Sequence, residues 1–354
     1  MAKTIVIFRT GQLGDTLVAM PAIYAIRKQY PKHRLVLLTD RHPGKQSLVS
    51  SWEVLGKTGW FDDVIFYIPG KDLWNLLKTI SSLVKKLRSF SPDYIFNLSP
   101  PRNAWQTLRD WFFFKCLVGV RCYRASGVCL KLGKGNKGFL MPVEPEWSRL
   151  LRVARLEAEK SIFRLPIPDN ERERVKQILE EEGIAKGAVL LAVGPGSNRS
   201  TTKWPMEHFA ELGKRLLEKL PLLELLVLGG NGDRKIGDEL CTVWGKRSHN
   251  FAGKLSIYGS ASAIDHCRVF VGNDTGNLHL AAMVGKPCVG LFSARNYLGE
   301  WEPYGKNHII LRKETECAGC ELEVCNEYNN KCLNQITVDE VFEAVNRFLV
   351  RGET

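Results

Sequence analysis

The sequence lacks the long apolar runs that a membrane span requires. Its most apolar later stretch, WFFFKCLVGV at residues 111–120, is ten residues long and contains a lysine, whereas a spanning helix needs about 20 apolar residues. The amino terminus, MAKTIVIFRTG, predicts a buried strand and has no small-residue cleavage site of a secretory signal. We therefore expect a cytoplasmic protein, either free or peripheral on the inner face of the cytoplasmic membrane.

Acidic residues are too few to balance the basic ones. The chain has 50 Lys and Arg against 38 Asp and Glu, which gives a net charge of +12. Such a surface favours an anionic glycan or lipid-linked partner, although it can also be solvated without any partner. We predict no nucleic-acid partner.

Two basic segments could form a peripheral membrane contact. They are the amphipathic LWNLLKTISSLVKKLRSF at 73–90 and the aromatic RDWFFFKCLVGVRCYR at 109–124. For the first segment, the alternative is a core-facing helix with a solvated basic face.

Three common signatures of phosphate and nucleotide sites are missing. No Asp-x-Asp occurs, so a clamp of metal and diphosphate lacks its ligands. No Gly-Lys-Ser/Thr ending completes a P-loop, and LGGNGDRK at 228–235 lacks the third glycine of the dinucleotide fingerprint. Any phosphate must therefore be bound in another way.

Predicted strands and helices alternate along the chain, which is typical of an α/β protein with parallel sheets. Pro166 and Pro168 interrupt this pattern, and a charged helix follows them. We predict two doubly wound domains at 1–167 and 168–336, facing a central cleft. A capped helix within 337–354 is expected to pack back toward the first domain.

The stretch VGNDTGNLHLAAMVGKP at 271–287 places polar residues at the start of a predicted helix. The preceding CRVFVGN predicts a strand, so the helix begins near Thr275 or Gly276, at the strand's carboxyl end. Unpaired N–H groups and the helix dipole at such a position suit a phosphate. Asp274 and His279 can bond sugar or phosphate oxygens, although Asp is also a favoured helix cap.

Two further loops follow predicted strands of the second half. GPGSNRSTTKWP at 194–205 offers the hydroxyls of Ser197, Thr201 and Thr202, with Lys203 as a cation for a diphosphate. Asp233 in the segment at 228–235 can reach a ribose, or the segment is a plain turn.

The loop RTGQLGDTLVAMPA at 9–22 follows the first predicted strand. Asp15 stands at the predicted helix start, where an acid is either a general base or a helix cap. Pro21 predicts a kink, or a helix that begins later. Nearby arginines are candidates to bind acceptor phosphates. The acceptor-side candidates are Arg9, Gly14, Arg102 and Arg109.

Three segments together resemble glycosyltransferase family 9, the ADP-heptose:lipopolysaccharide heptosyltransferases. They are GQLGDTLVAMPAIYAIRKQYP, GPGS with the following KWP, and GNDTGNLHLAAMVGKPCVGLF. The resemblance implies a GT-B fold of two Rossmann-like domains, with the acceptor in the first and the nucleotide-sugar donor in the second. It also implies inverting transfer of a heptose or related sugar from an ADP-sugar to a lipopolysaccharide-type or other glycan or protein acceptor, without a catalytic cofactor.

The resemblance assigns roles by position. Asp15 matches the family's proposed general base, and Asp274, Thr275, Gly276 and His279 match its donor site. The family usually carries a basic pair before Trp-Pro, where this chain has Thr-Lys at 202–203.

Two other functions stay open on the sequence. One is a GT-B enzyme that uses another nucleotide-sugar, as a transferase or an epimerase. The other is a non-catalytic nucleotide- or metal-binding protein on the same fold. An acid at position 15 favours an enzyme, because a binding protein has no need of a base there.

Four of the ten cysteines cluster near the carboxyl end as CAGCELEVCNEYNNKC. In a chain without a secretion signal, such spacing favours a structural zinc or iron site. Two disulfides or four free thiols are the alternatives. The candidate ligands are Cys317, Cys320, Cys325 and Cys332.

Overall fold

The computed structural model describes residues 3–41, 49–68, 73–100, 103–125, 143–155, 163–326 and 328–350. The described residues up to Phe163 form one compact unit, apart from Val143 and Glu144, which belong with the second unit from Arg164 onward. The unit boundary at 163/164 lies four residues before the one expected from the sequence, at 167/168.

In the first unit, parallel strands run in the order β3-β2-β1-β4-β5. The strands are β1 (Thr4–Phe8), β2 (Arg34–Asp40), β3 (Asp63–Tyr67), β4 (Tyr94–Asn97) and β5 (Cys122–Ala125). The helices are α1 (Leu13–Gln29), α2 (Ser51–Leu55), α3 (Leu73–Ser89), α4 (Ala104–Phe112) and α5 (Glu146–Ala154), and a π-helical segment, Phe113–Val118, continues α4.

In the second unit, parallel strands run in the order β11-β10-β9-β6-β7-β8. The strands are β6 (Val189–Gly194), β7 (Leu223–Val227), β8 (Ser248–Asn250), β9 (Val269–Asn273), β10 (Cys288–Phe292) and β11 (His308–Arg312). The helices are α6 (Asp169–Glu181), α7 (Met206–Lys219), α8 (Arg234–Trp244), α9 (Ile257–His266), α10 (Gly276–Met283), α11 (Lys331–Asn334) and α12 (Val338–Val350).

Each sheet has a topological switch point, where chain order reverses between neighbouring strands. In the first unit it lies between β1 and β4, and in the second between β6 and β9. Loops that leave a switch point at the carboxyl ends diverge and leave a crevice, which is where open α/β sheets bind ligands. The predicted site loops start at these ends: residues 9–15 follow β1, residues 195–203 follow β6, and residues 274–276 follow β9.

Helix α1 begins at Leu13 and contains Pro21 in its interior. The alternative of a later start is therefore wrong. Pro21 and its neighbours Met20 and Ala22 are all buried, so the helix is held by packing on several sides rather than by propensity.

Helix α12 packs on the second unit. Val341, Val345 and Leu349 belong to the core cluster that also contains Leu216 of α7 and Val271 of β9. Its apolar side covers the sheet of the second unit, and the expected packing of this helix toward the first domain stays a prediction. The periodicity of the sequence predicts which face of α12 is apolar, but it does not predict the surface on which that face packs.

Among the described residues, no helix is both long enough and apolar enough to cross a membrane. The apolar side of α3 contributes Leu87, which is fully buried, to the core of the first unit. The core-facing alternative for this helix is therefore the one that the structure supports.

Candidate active site

Asp15 is the third residue of α1, directly beyond the carboxyl end of β1. Its Oδ2 accepts a hydrogen bond from the backbone N–H of Gln12 at 2.9 Å, so the carboxylate does cap the helix. Its side chain is still 27% exposed. A carboxylate that is both fixed and reachable meets the first requirement of a general base, and the capping role does not exclude that function.

Gly11 makes room for this carboxylate. Its φ is +119°, in a region that L side chains rarely adopt, and an added Cβ would lie 2.7 Å from Oδ2 of Asp15. In the sequence, Gly11 stood out only as one of two glycines in the predicted turn. The other, Gly14, is the second residue of α1.

The two acceptor-side arginines that the structure describes differ in exposure. Arg9 is fully buried, and its guanidinium donates to the backbone oxygens of Leu98 and Asp15. It therefore does not face solvent in this structure, and a phosphate-binding role for Arg9 stays a prediction. Arg109 is half-exposed and donates to Asp110 at 2.7 Å, while Arg102 lies outside the described residues.

The start of α10 matches the sequence prediction. Thr275 is the N-cap of α10, and Gly276 is its first helical residue. Asp274 precedes them and directly follows the last residue of β9. Among the described residues, the Thr275 hydroxyl and Nδ1 of His279 are buried without a hydrogen-bond partner. Buried polar atoms are normally paired, so these two atoms and the orphan N–H groups of the helix point to a ligand.

Asp274 and His279 sit close together, with Oδ1 and Nε2 3.9 Å apart. Burial raises the pKa of Asp274 to about 7, against the opposing charges of Arg295 and Arg199. Burial also lowers the pKa of His279 to about 4. His279 is therefore neutral at pH 7 and acts as a hydrogen-bonding group rather than a cation toward a diphosphate.

Asn273, which the sequence reasoning missed, joins two of the predicted donor loops. Asn273 is fully buried. Its Oδ1 accepts a hydrogen bond from the backbone N–H of Trp204 at 3.0 Å, and its Nδ2 donates to the backbone oxygen of Pro195 at 2.7 Å. The last residue of β9 therefore fixes both ends of the loop at 195–203. A single Asn at a strand end carried no signal of this role.

The hydroxyls of that loop are mostly engaged. Ser197 and Thr202 share a hydrogen bond of 2.6 Å, and Thr201 donates to the backbone oxygen of Leu322 at 3.1 Å. Thr201 and Thr202 are buried, whereas Lys203 is exposed. Of the predicted diphosphate ligands in this loop, Lys203 is thus the one with a charge at the surface.

Asp233 brings the loops after β6 and β7 together. Its Oδ2 accepts from the Gly230 N–H at 2.9 Å. Added Cβ atoms at Gly196 and Gly229 would lie 2.1 Å and 2.6 Å from atoms of Asp233. Asp233 thus lies in the predicted donor region. Its contacts hold the turn together, and its binding to a ribose stays a prediction.

Comparisons with known proteins agree with this arrangement. The model of glycosyltransferase family 9 (heptosyltransferase) matches residues 148–331, just over half of the chain. Lipopolysaccharide heptosyltransferase 1 of Pseudomonas aeruginosa is 30% identical over 254 residues, which cover 63% of this chain and 70% of the relative. The chain belongs to glycosyltransferase family 9.

Solved structures agree on the fold. A family 9 glycosyltransferase of Veillonella parvula, 19% identical, covers 99% of this chain and 98% of its own with a TM-score of 0.74. An E. coli heptosyltransferase solved with ADP, 15% identical, covers 97% and 99% with a TM-score of 0.64. The predicted GT-B fold of two parallel-sheet α/β domains is therefore confirmed, and this protein is a glycosyltransferase.

Arg295 of this glycosyltransferase is a further buried charge near the donor loops. It follows β10, the neighbour of β9, and is the largest favourable influence on the charged form of Asp274. Its guanidinium donates to the backbone oxygens of Glu321 and Leu322, both at 2.9 Å. The sequence reasoning missed it because its partners lie some 26 residues away along the chain.

The segment that holds the four clustered cysteines braces these loops. Asn330 donates to the Ser200 oxygen at 3.0 Å, and Gly319 donates to the Ala294 oxygen at 2.7 Å. All four thiols are half-buried and free of disulfides. Among the described residues, no group of three or more His, Cys, Asp and Glu side chains is arranged to hold a metal ion.

The raised pKa of Asp274 predicts a stability effect that depends on pH. The folded protein keeps this proton up to about pH 7, whereas the unfolded chain releases it near 3.8. The contribution to folding is therefore fully present below pH 3.8 and lost as pH rises through 7. Asp274→Asn avoids this loss, so its free energy of unfolding relative to wild type should rise between pH 4 and 8, by on the order of 2 kcal/mol.

Urea unfolding of the ligand-free protein across that pH range measures this difference. Asp339→Asn, at a side chain that is 79% exposed, controls for the change from acid to amide. A difference between Asp274→Asn and wild type that stays constant from pH 4 to 8 would contradict the assignment.

Proposed function

We propose that this glycosyltransferase moves a heptose from ADP-heptose to a lipopolysaccharide-type acceptor, with inversion at the anomeric carbon and Asp15 as the general base. The observation that carries the proposal is the placement of Asp15 at the switch point of one sheet and of the Asp274–Gly276 turn at that of the other. The E. coli neighbour was solved with ADP, and the Pseudomonas relative is a lipopolysaccharide heptosyltransferase. Both support the choice of donor and acceptor.

The donor's diphosphate is proposed to bind at the start of α10. The first N–H groups of a helix have no partner within the helix, and the helix dipole adds positive charge there. Gly276 lets an oxygen approach this backbone closely, and the unpaired Thr275 hydroxyl can donate to it. Lys203 adds an exposed cation, so the charge that develops on the leaving ADP is stabilised without an Asp-x-Asp metal clamp.

The acceptor hydroxyl is proposed to lose its proton to Asp15. As its oxygen bonds to the anomeric carbon, the bond from that carbon to the diphosphate oxygen breaks, and ADP leaves with the electron pair. Attack on the face away from ADP inverts the configuration, through a transition state with oxocarbenium character. Asp274 and the neutral His279 are placed to bond the sugar or phosphate oxygens of the donor.

Asp15→Asn tests the base directly. The amide still accepts the bond from the Gln12 N–H, so the start of α1 is kept, while the group that takes the proton is lost. We expect turnover to fall by ~10²–10⁴-fold, the usual size of a general-base contribution. Steady-state assays of heptose transfer measure it, and near-normal turnover would refute the assignment.

Donor binding by the same variant provides the control. Asp15→Asn and wild type should be stabilised equally by ADP-heptose, by about 2.7 kcal/mol at 100 times its Kd. Thermal unfolding with ADP-, GDP-, UDP- and dTDP-sugars compares donors. Greater stabilisation by another nucleotide-sugar would replace ADP-heptose as the proposed donor. The role of Asp15 would still be decided by the turnover assay.

A structural metal, zinc or iron, is proposed at the four clustered cysteines. Four free thiols lie within sixteen residues, in a segment that braces the donor loops. Their present arrangement is not that of a closed site, so binding requires this segment to adjust. The metal would be structural and would take no part in sugar transfer.

Elemental analysis of the purified protein should find about one metal ion per chain, the stoichiometry of a closed four-thiolate site. Cys332→Ser should lose it, while Cys241→Ser, outside the cluster, should retain it. Metal-free protein with four titratable thiols at the cluster would reject the site.

A peripheral membrane contact is proposed at α4. Trp105, Leu108 and Phe112 are 73%, 56% and 52% exposed and lie at i, i+3 and i+7 of one helical face. The exposed Arg109 stands beside them. Apolar side chains flanked by a cation suit an anionic lipid surface, where a lipid-linked acceptor would lie.

Leu108→Ala should weaken sedimentation with vesicles that contain anionic phospholipid. Leu222→Ala, a change of the same chemistry at a residue that is 69% exposed in the second unit, should not. Equal binding of both variants and wild type would exclude α4 as the contact.

A further inference from the structure

A chain of alternating charges is buried behind Asp15 in the first unit. Arg9, the first residue after β1, is fully buried. Its Nη2 donates to the backbone oxygen of Asp15 and lies 4.0 Å from Oδ1 of the same residue. Its Nη1 donates to the backbone oxygen of Leu98, just beyond β4. Arg9 therefore spans the switch point and fixes the residue at the start of α1.

The other side of Arg9 faces a buried carboxylate. Oε1 of Glu146, on α5, lies 4.0 Å from Nη1 of Arg9, and the Glu146 side chain is 2% exposed. Arg149, one turn further along α5, holds Glu146 with two bonds of 2.5 and 2.7 Å. It also donates to the Ser99 oxygen at 3.0 Å. The contacts of Glu146 with Arg9 and of Arg149 with the Ser99 oxygen join α5 to the strand ends around Asp15.

Asp15 adds a second carboxylate to this chain of charges. Arg9 and Arg149 are two guanidinium groups, which stay protonated in proteins. Glu146 and Asp15 each place a carboxylate oxygen 4.0 Å from a nitrogen of Arg9. Burying a guanidinium without such partners is costly. Among the four, Asp15 has the most exposed side chain, at 27%.

We propose that Arg9, held by Glu146 and Arg149, is the positioning residue of the general base. It fixes the Asp15 backbone from behind, which leaves the exposed edge of the carboxylate free to take the proton of the acceptor hydroxyl. This inference rests on the proposed function of Asp15. It replaces the phosphate-binding role that the sequence suggested for Arg9.

A purely structural role predicts something different. In that case the buried charges would only hold α5 against the strand ends, and removing them would lower stability without a specific effect on proton transfer. A double-mutant cycle separates the two roles, because residues that act through one another show non-additive effects.

The experiment measures transfer kinetics of Arg9→Met, Asp15→Asn and the double variant. Arg9→Met should lower kcat by roughly 10- to 100-fold, as a misplaced catalytic group does, with the donor KM within about twofold. Arg9→Lys, which keeps the charge, should recover part of the loss. In the Asp15→Asn background, Arg9→Met should lower kcat by less than about threefold.

Two variants guard against a folding artefact. Glu146→Gln is isosteric and removes the partner of Arg9 without touching the base. It should lower kcat in the wild-type background and have little effect in Asp15→Asn. Leu87→Ala, in the core of the first unit, should lower the melting temperature while kcat stays normal.

The outcomes are distinct. If Arg9→Met and Glu146→Gln lower kcat as strongly in the Asp15→Asn background as in wild type, the positioning role is overturned. If Asp15→Asn itself retains near-normal turnover, the assignment of the base fails first, and the positioning role falls with it.

Discussion

The parallel direction of the strands is the constraint on which the rest of this structure depends. In a parallel sheet, every strand delivers its carboxyl end to the same edge, so loops far apart in sequence become neighbours. β6 and β9 pair with Gly194 opposite Gly272, which puts the loop at 195–203 beside Asp274 and α10. In the first sheet, β1 and β4 likewise bring Arg9 and Leu98 together. Each unit thus concentrates polar groups at one edge.

Polar contacts inside each edge then hold the loops, because loops without buried apolar side chains have little else to fix them. Asn273 is fully buried and has hydrogen bonds on both its oxygen and its nitrogen. A buried amide that is fully bonded stabilises the loop, whereas a half-bonded one would be costly. Thr201 and Arg295 play a similar part with the backbone oxygens of 321–323. The proposed donor region is therefore supported by the segment that carries the cysteines.

Local signals were enough to predict the alternation of strands and helices and the start of α10. The start of α10 followed from a strand, a polar pair and a glycine, and the structure begins the helix at Gly276. Long-range partners could not be read in this way. The burial of Arg9, the roles of Asn273 and Arg295, and the packing of α12 all depend on residues brought together by the sheet. The hydroxyls of Thr201 and Thr202 could be read from the sequence. Their hydrogen bonds with the Leu322 oxygen and with Ser197 could not.

The two candidate acids stand in different surroundings, and this difference fits their proposed roles. Asp274 lies where burial outweighs the nearby arginines, so burial disfavours its ionised form. A group that bonds hydroxyls can be neutral or charged, since either form can make hydrogen bonds. Asp15 instead has the buried guanidinium of Arg9 behind it and keeps an exposed edge. A general base must be held in place and still be reached by the hydroxyl that it deprotonates, and this position meets both requirements.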